Sequence, residues 1–185
     1  MMSLNYKAED RPERKLIPNG TYIARCNLVV DLGEQQLWQP PDSQEPIRYA
    51  PQVIIGWEVN ELDDNGKNYL VTENYNVYTS EKAKLRITLE SWLNVKETNL
   101  ETLINKPAQV TTKINEKGNW SKVVAVTGLP KGVDAPELTS EPLVYNLGDR
   151  DVYDKLPQFI RKKIDESKTP HFEQVPLAQD EDIPF

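Results

Sequence analysis

Alternation of apolar and polar residues with a period of two commits the first part of the chain to β structure. From Gly20 onward, Tyr22, Ala24, Cys26, Leu28, Val30 and Leu32 share one face, and Thr21, Arg25, Asn27 and Asp31 share the other. That pattern predicts a half-buried strand. A second strand is predicted over Gln52–Leu62, with Val53, Ile55, Trp57 and Val59 in phase. A third covers Tyr69–Tyr78, carrying Tyr69, Val71, Tyr75 and Val77. Between these two, Asp63-Asp64-Asn65-Gly66 reads as a hairpin turn, because Asn-Gly readily supplies positive φ. Residues 33–50 hold three prolines and no periodicity, so they are expected to form a long loop. Loops of that length inside a compact domain are functional or disordered.

The pattern then changes. Thr79 or Ser80 is expected to cap a helix with the stripe Leu85, Leu89, Trp92 and Leu93, at spacings i, i+4, i+7 and i+8. After a short segment around Leu100–Ile104, a fourth strand is predicted over Ala108–Ile114. The turn Glu116-Lys117-Gly118-Asn119 leads into a fifth strand, Trp120–Thr127, which Pro130-Lys131-Gly132 ends. Three strands, a helix and two strands is the connectivity of an OB-fold, a five-stranded partly open barrel. A generic β-sandwich and an α+β sheet are the alternatives.

Beyond the barrel, residues 133–154 are acidic and proline-containing and read as a linker. Leu156, Phe159, Ile160 and Ile164 then recur at helical spacing beside Arg161-Lys162-Lys163. This amphipathic helix either docks on the barrel or is reserved for a partner. The expected organisation is a leader (1–18), an OB domain (19–132), an acidic linker with a short helix (133–168) and a disordered acidic tail (169–185).

Composition narrows the chemistry. A hydrophobic fraction of 38% suits a modest core with much solvated chain. The best apolar run, Val53–Trp57, is far below the roughly 20 residues of a membrane helix. The N-terminus has no apolar stretch after its charges, so no secretory signal is expected. A single cysteine, Cys26, excludes an internal disulfide and any multi-cysteine zinc site, and a single histidine, His171, removes most histidine-based catalysis. Asp63-Asp64 belongs to a turn, and Asp149, Asp151 and Asp154 lack the spacing of a calcium loop. No phosphate loop, dinucleotide glycine pattern or nucleophile elbow occurs. These features point to a soluble cytoplasmic protein without enzymatic activity, metal or cofactor.

The net charge of −7 is unevenly spread. Residues 1–132 hold 16 basic and 17 acidic side chains, whereas residues 133–185 hold 6 and 12. Such asymmetry hints at nucleic-acid interaction coupled to an acidic tail, against the plain alternative of a solubilising terminus. The last six residues are Asp180-Glu181-Asp182-Ile183-Pro184-Phe185. They closely resemble the acidic tip of bacterial-type single-stranded DNA-binding proteins, which recruits replication and repair enzymes. Three acids and this tripeptide would arise together by chance on the order of once in millions of termini. As a ligand the tip makes physical sense: Phe185 fills an apolar pocket, its carboxylate meets a basic group, and the acids steer the approach.

A second resemblance spans roughly residues 19–165. Trp57-Glu58, YTSEKAKLRITLESWL (78–93), LINKP (103–107), LPKG (129–132) and KLPQFIRKKI (155–164) are similar to a family of phage-encoded single-stranded DNA-binding proteins. The resemblance implies an OB-fold and a role in phage replication, recombination or repair within a bacterial host. A strand-annealing or recombination mediator, and a protein-interaction adaptor, are the rival functions. Bacterial members join barrel to tip by a long Gly/Gln/Pro-rich linker, absent here, so their tetramer interface does not carry over and self-association is left open.

Single strands are held by bases stacking on aromatic rings beside cations that follow the phosphates. On an OB-fold the site lies on strands two and three, between the loops joining strands one to two and four to five. The first loop supplies Trp38, Arg48 and Tyr49; the second hairpin supplies Lys113, Lys117, Trp120 and Lys122. Arg25 projects from the polar face of strand one, and Tyr78 lies out of phase with Tyr75 and Val77. Trp57 and Trp92, in phase with apolar neighbours, are expected in the core.

Overall fold

The structure, a computed structural model, describes residues 15–169. The protein is mainly β. Its strands are β1 (Gly20–Gln36), β2 (Tyr49–Leu62), β3 (Asn68–Asn76), β4 (Pro107–Ile114), β5 (Ser121–Thr127) and β6 (Leu143–Tyr145). They form one sheet in the order β3-β2-β1-β4-β5, every neighbour antiparallel, with β6 pairing parallel to β1. The helices are α1 (Lys84–Leu93), α2 (Arg150–Lys155) and α3 (Gln158–Asp165), with a 3-10 turn at Leu100–Leu103.

The single apolar face read from β1 divides at a bulge. Cys26 pairs with Trp57 and Leu28 with Gly56, leaving Asn27 without an opposite residue. An extra residue in a ladder reverses the facing of everything after it. Ala24 and Cys26 therefore join a first core with Val53, Ile55, Trp57 and Val59, while Leu28, Val30 and Leu32 pass to a second core with Ile54. Both faces of the central strands are buried.

The helix between β3 and β4 closes the first core with Leu85, Leu89 and Trp92. It begins later than the expected cap: Ala83 donates its N–H to the Ser80 carbonyl in a preceding turn, and neither Thr79 nor Ser80 occupies the cap position. Trp92 lies edge-on to Trp57, 5.7 Å between ring centres, and donates its indole N–H to the Pro107 carbonyl at 2.7 Å. Both tryptophans are in the core, as their phase demands.

The segment expected as a linker is fastened to the sheet. Thr139 and Ser140 donate backbone and hydroxyl hydrogens to the Glu58 carboxylate on β2. β6 then continues the edge of β1 where β4 leaves it, a sixth strand too short for periodicity to reveal. The amphipathic stretch splits in two, because Pro157 holds Leu156 extended and takes the N-cap position of α3. Leu156, Ile160, Ile164 and Tyr145 cover Leu28, Val30, Leu32 and Ile54. Of the two roles open to this helix, docking is the one found.

Candidate nucleic-acid interface

The β1–β2 loop is shorter and firmer than its sequence suggests. The ladder runs on to Gln36 opposite Tyr49, and the Leu37 N–H reaches the Arg48 carbonyl at 2.8 Å. Across the loop, the Gln39 side-chain amide donates to the Pro46 carbonyl at 2.7 Å. Trp38 is thus fixed between two braces, yet 80% of it is exposed. A ring of this size left in water forgoes about 3 kcal/mol of apolar transfer. Arg48 and Tyr49 follow at the base of the loop, both exposed. The Val77 N–H donates to the Pro51 carbonyl at 2.8 Å, which brings Tyr78, also exposed, beside the start of β2. Trp38, Arg48, Tyr49 and Tyr78 therefore share one end of the sheet.

The β4–β5 hairpin presents a second set. Asn115 organises its turn, accepting from the Asn119 and Trp120 N–H groups through Oδ1, while Gly118 takes the positive φ that the turn requires. Lys113 stands directly opposite Lys122 in the ladder, and Lys117 is exposed on the turn. Like charges in that relation repel, a cost that an anion between them relieves. Trp120, partly exposed, meets the Phe159 ring edge-on at 6.0 Å.

Arg25 is engaged within the protein. Its guanidinium donates to the carbonyls of Pro136 (2.9 Å), Asn105 (2.7 Å) and Ala135 (2.7 Å). Two of those bonds anchor the chain after β5 and the third holds Asn105 just before β4, so three of the five guanidinium N–H groups are spent within the protein.

Two residues that sequence reasoning missed join the picture. Phe159, at the start of α3, touches Trp120, and Lys168, just past its end, sits with its ammonium 4.6 Å from the Tyr49 ring centre. The helix is held there by β1: Gln35 donates to the Lys163 carbonyl at 2.7 Å, and the Lys168 N–H donates to the Glu34 carbonyl at 2.9 Å. Gly33 makes this approach feasible, since its φ is positive and a Cβ would collide with the Ser167 hydroxyl. Burial lowers the Lys163 pKa, opposed by Glu166 and Glu73. The basic run Arg161-Lys162-Lys163 was the available signal that this helix matters, but nothing in the spacing tells which loops it reaches.

The tip Asp180–Phe185 and His171 lie outside the described residues. Among the described residues, no group of three or more His, Cys, Asp or Glu side chains is placed to hold a metal ion, and no helix is long and apolar enough to cross a membrane. Comparisons with protein-family models, curated proteins and solved structures found no match to this chain.

Proposed function

We propose that this chain is a sequence-tolerant single-stranded DNA-binding protein of phage DNA replication, recombination or repair, working in a bacterial cytoplasm. The observation that carries the reading is that Trp38, Arg48, Tyr49 and Tyr78, all exposed, share one end of the sheet. Rings stack on any base, and cations beside them neutralise phosphates, so such a surface binds single strands with little regard to sequence. The acidic tip resembles a recruitment peptide and serves that role here, drawing replication and recombination enzymes to coated DNA.

The sheet itself is read as an OB-fold barrel. Its order puts β3 and β5 at the two ends, as that barrel requires, and the Glu73 carboxylate on β3 accepts the Val123 N–H of β5 at 3.3 Å. That contact supports a seam between the end strands. The overall acidity is no obstacle, because binding follows the local potential and the acids concentrate elsewhere in the chain.

A mobility-shift titration of the full chain against single-stranded DNA, duplex DNA and single-stranded RNA tests the proposal. Retardation of the single-stranded DNA, weakening with a log–log salt slope of roughly −0.7 per phosphate contacted, is the expected result. No shift at low ionic strength would overturn it in favour of a protein-interaction adaptor.

A further inference from the structure

We infer that α3 is part of the strand-binding surface, with Lys162 and Lys168 as its phosphate contacts; this rests on the single-strand reading above. In the OB-fold expectation the strand crosses the outer face of the sheet between two loops. Here that face is not bare. Ile160 and Ile164 cover its β1 side, over Leu28, Val30, Leu32 and the β2 residue Ile54, so a strand passing from the β4–β5 hairpin to the β1–β2 loop runs beside a helix.

The geometry sets the helix as a bridge between the loops. Its first turn touches the hairpin through Phe159 and Trp120, and the residue three past its end touches the loop through Lys168 and Tyr49. At 1.5 Å per residue, the eight residues of α3 cover about 12 Å of that path. Lys162 faces solvent with 77% of its side chain exposed, and its ion-pair distance to Glu166 is 3.9 Å. A contact that long and that wet contributes almost nothing, so the ammonium is available to an anion. Lys168 is exposed and already lies over an aromatic face, where a base stacked near Tyr49 would bring its own phosphate within reach.

The experiment is a salt titration of poly-dT binding by the full chain and by the double variant K162Q/K168Q. Both side chains are exposed, so circular dichroism should show the fold unchanged. Losing two phosphate contacts should make the slope shallower by roughly 1.4 and weaken binding about 25-fold at 0.1 M salt. Lys67→Gln, beside the β2–β3 turn at the far end of β2 from Tyr49, should leave both quantities unchanged. A double variant with the parent's slope and affinity would overturn the inference while leaving the single-strand reading intact. So would an equal loss in the Lys67 variant, which would mean that the chain responds only to its total charge. A parent protein that fails to bind poly-dT overturns both readings together.

Discussion

Glu58 shows how much one buried side chain can organise. Its carboxylate accepts from the backbone and hydroxyl of both Thr139 and Ser140, and from the Asn68 amide. Burial pushes its pKa up, but the hydrogen bonds from Ser140, Thr139 and Asn68 outweigh that and hold it at about 2, below the ordinary 4.5. A depressed carboxyl adds stability above its unfolded pKa and loses it as pH falls through the folded value. The urea midpoint should therefore decline from about pH 4.5 towards 2, and decline less in Glu58→Gln. At neutral pH that variant should lose about 2–3 kcal/mol, the worth of a charged hydrogen-bond acceptor left with amide hydrogens among donors. Arg25→Ala should likewise cost about 2 kcal/mol in urea unfolding, because three carbonyls lose a charged donor. Its salt slope for poly-dT should match the parent. Trp38→Ala should do the reverse, leaving the melting temperature alone and weakening single-strand binding by about 1–3 kcal/mol in a fluorescence titration.

At the scale of elements, α3 carries a second core. Ile160→Ala should destabilise the chain by about 2–5 kcal/mol, read from chemical denaturation, since Ile160 is fully buried against the strands. Four of the five longer strands and α1 were legible through their periods, β5 through the turns that bound it, and the Asn65-Gly66 turn through its chemistry. The bulge at Asn27 was not. Apolar residues simply continue at even positions through it, and only the partner strand discloses that Leu28 faces away from Cys26. Glu34, Gln35 and Gln36 read as loop because no periodicity continues through them, yet the β1–β2 ladder runs through all three. Gln35 also shows why no apolar period marks this end of the strand: its amide is buried, donating to the Leu32 and Lys163 carbonyls. At the candidate interface, Trp38, Arg48, Tyr49 and Tyr78 could be picked from the sequence as rings and charge outside the apolar phase. The Phe159–Trp120 and Lys168–Tyr49 contacts could not, since they join positions dozens of residues apart.

Over the whole molecule, charge and shape divide the labour. Basic and aromatic groups gather around two hairpins and α3, whereas from Thr169 to Phe185 there are four acids and no lysine or arginine. A tethered acidic segment competes with phosphates for the same cations. Deleting residues 173–185 should accordingly strengthen poly-dT binding and abolish recruitment of partner enzymes, measured by mobility shift and by pull-down with host replication proteins. The most direct measurement of the central claim is a titration of intrinsic tryptophan fluorescence with oligo-thymidine at low and high salt. Trp38 and Trp120 are exposed while Trp57 and Trp92 are buried, so the signal should fall partially, saturably and reversibly with added salt. Fluorescence unchanged across the low-salt titration would contradict the account.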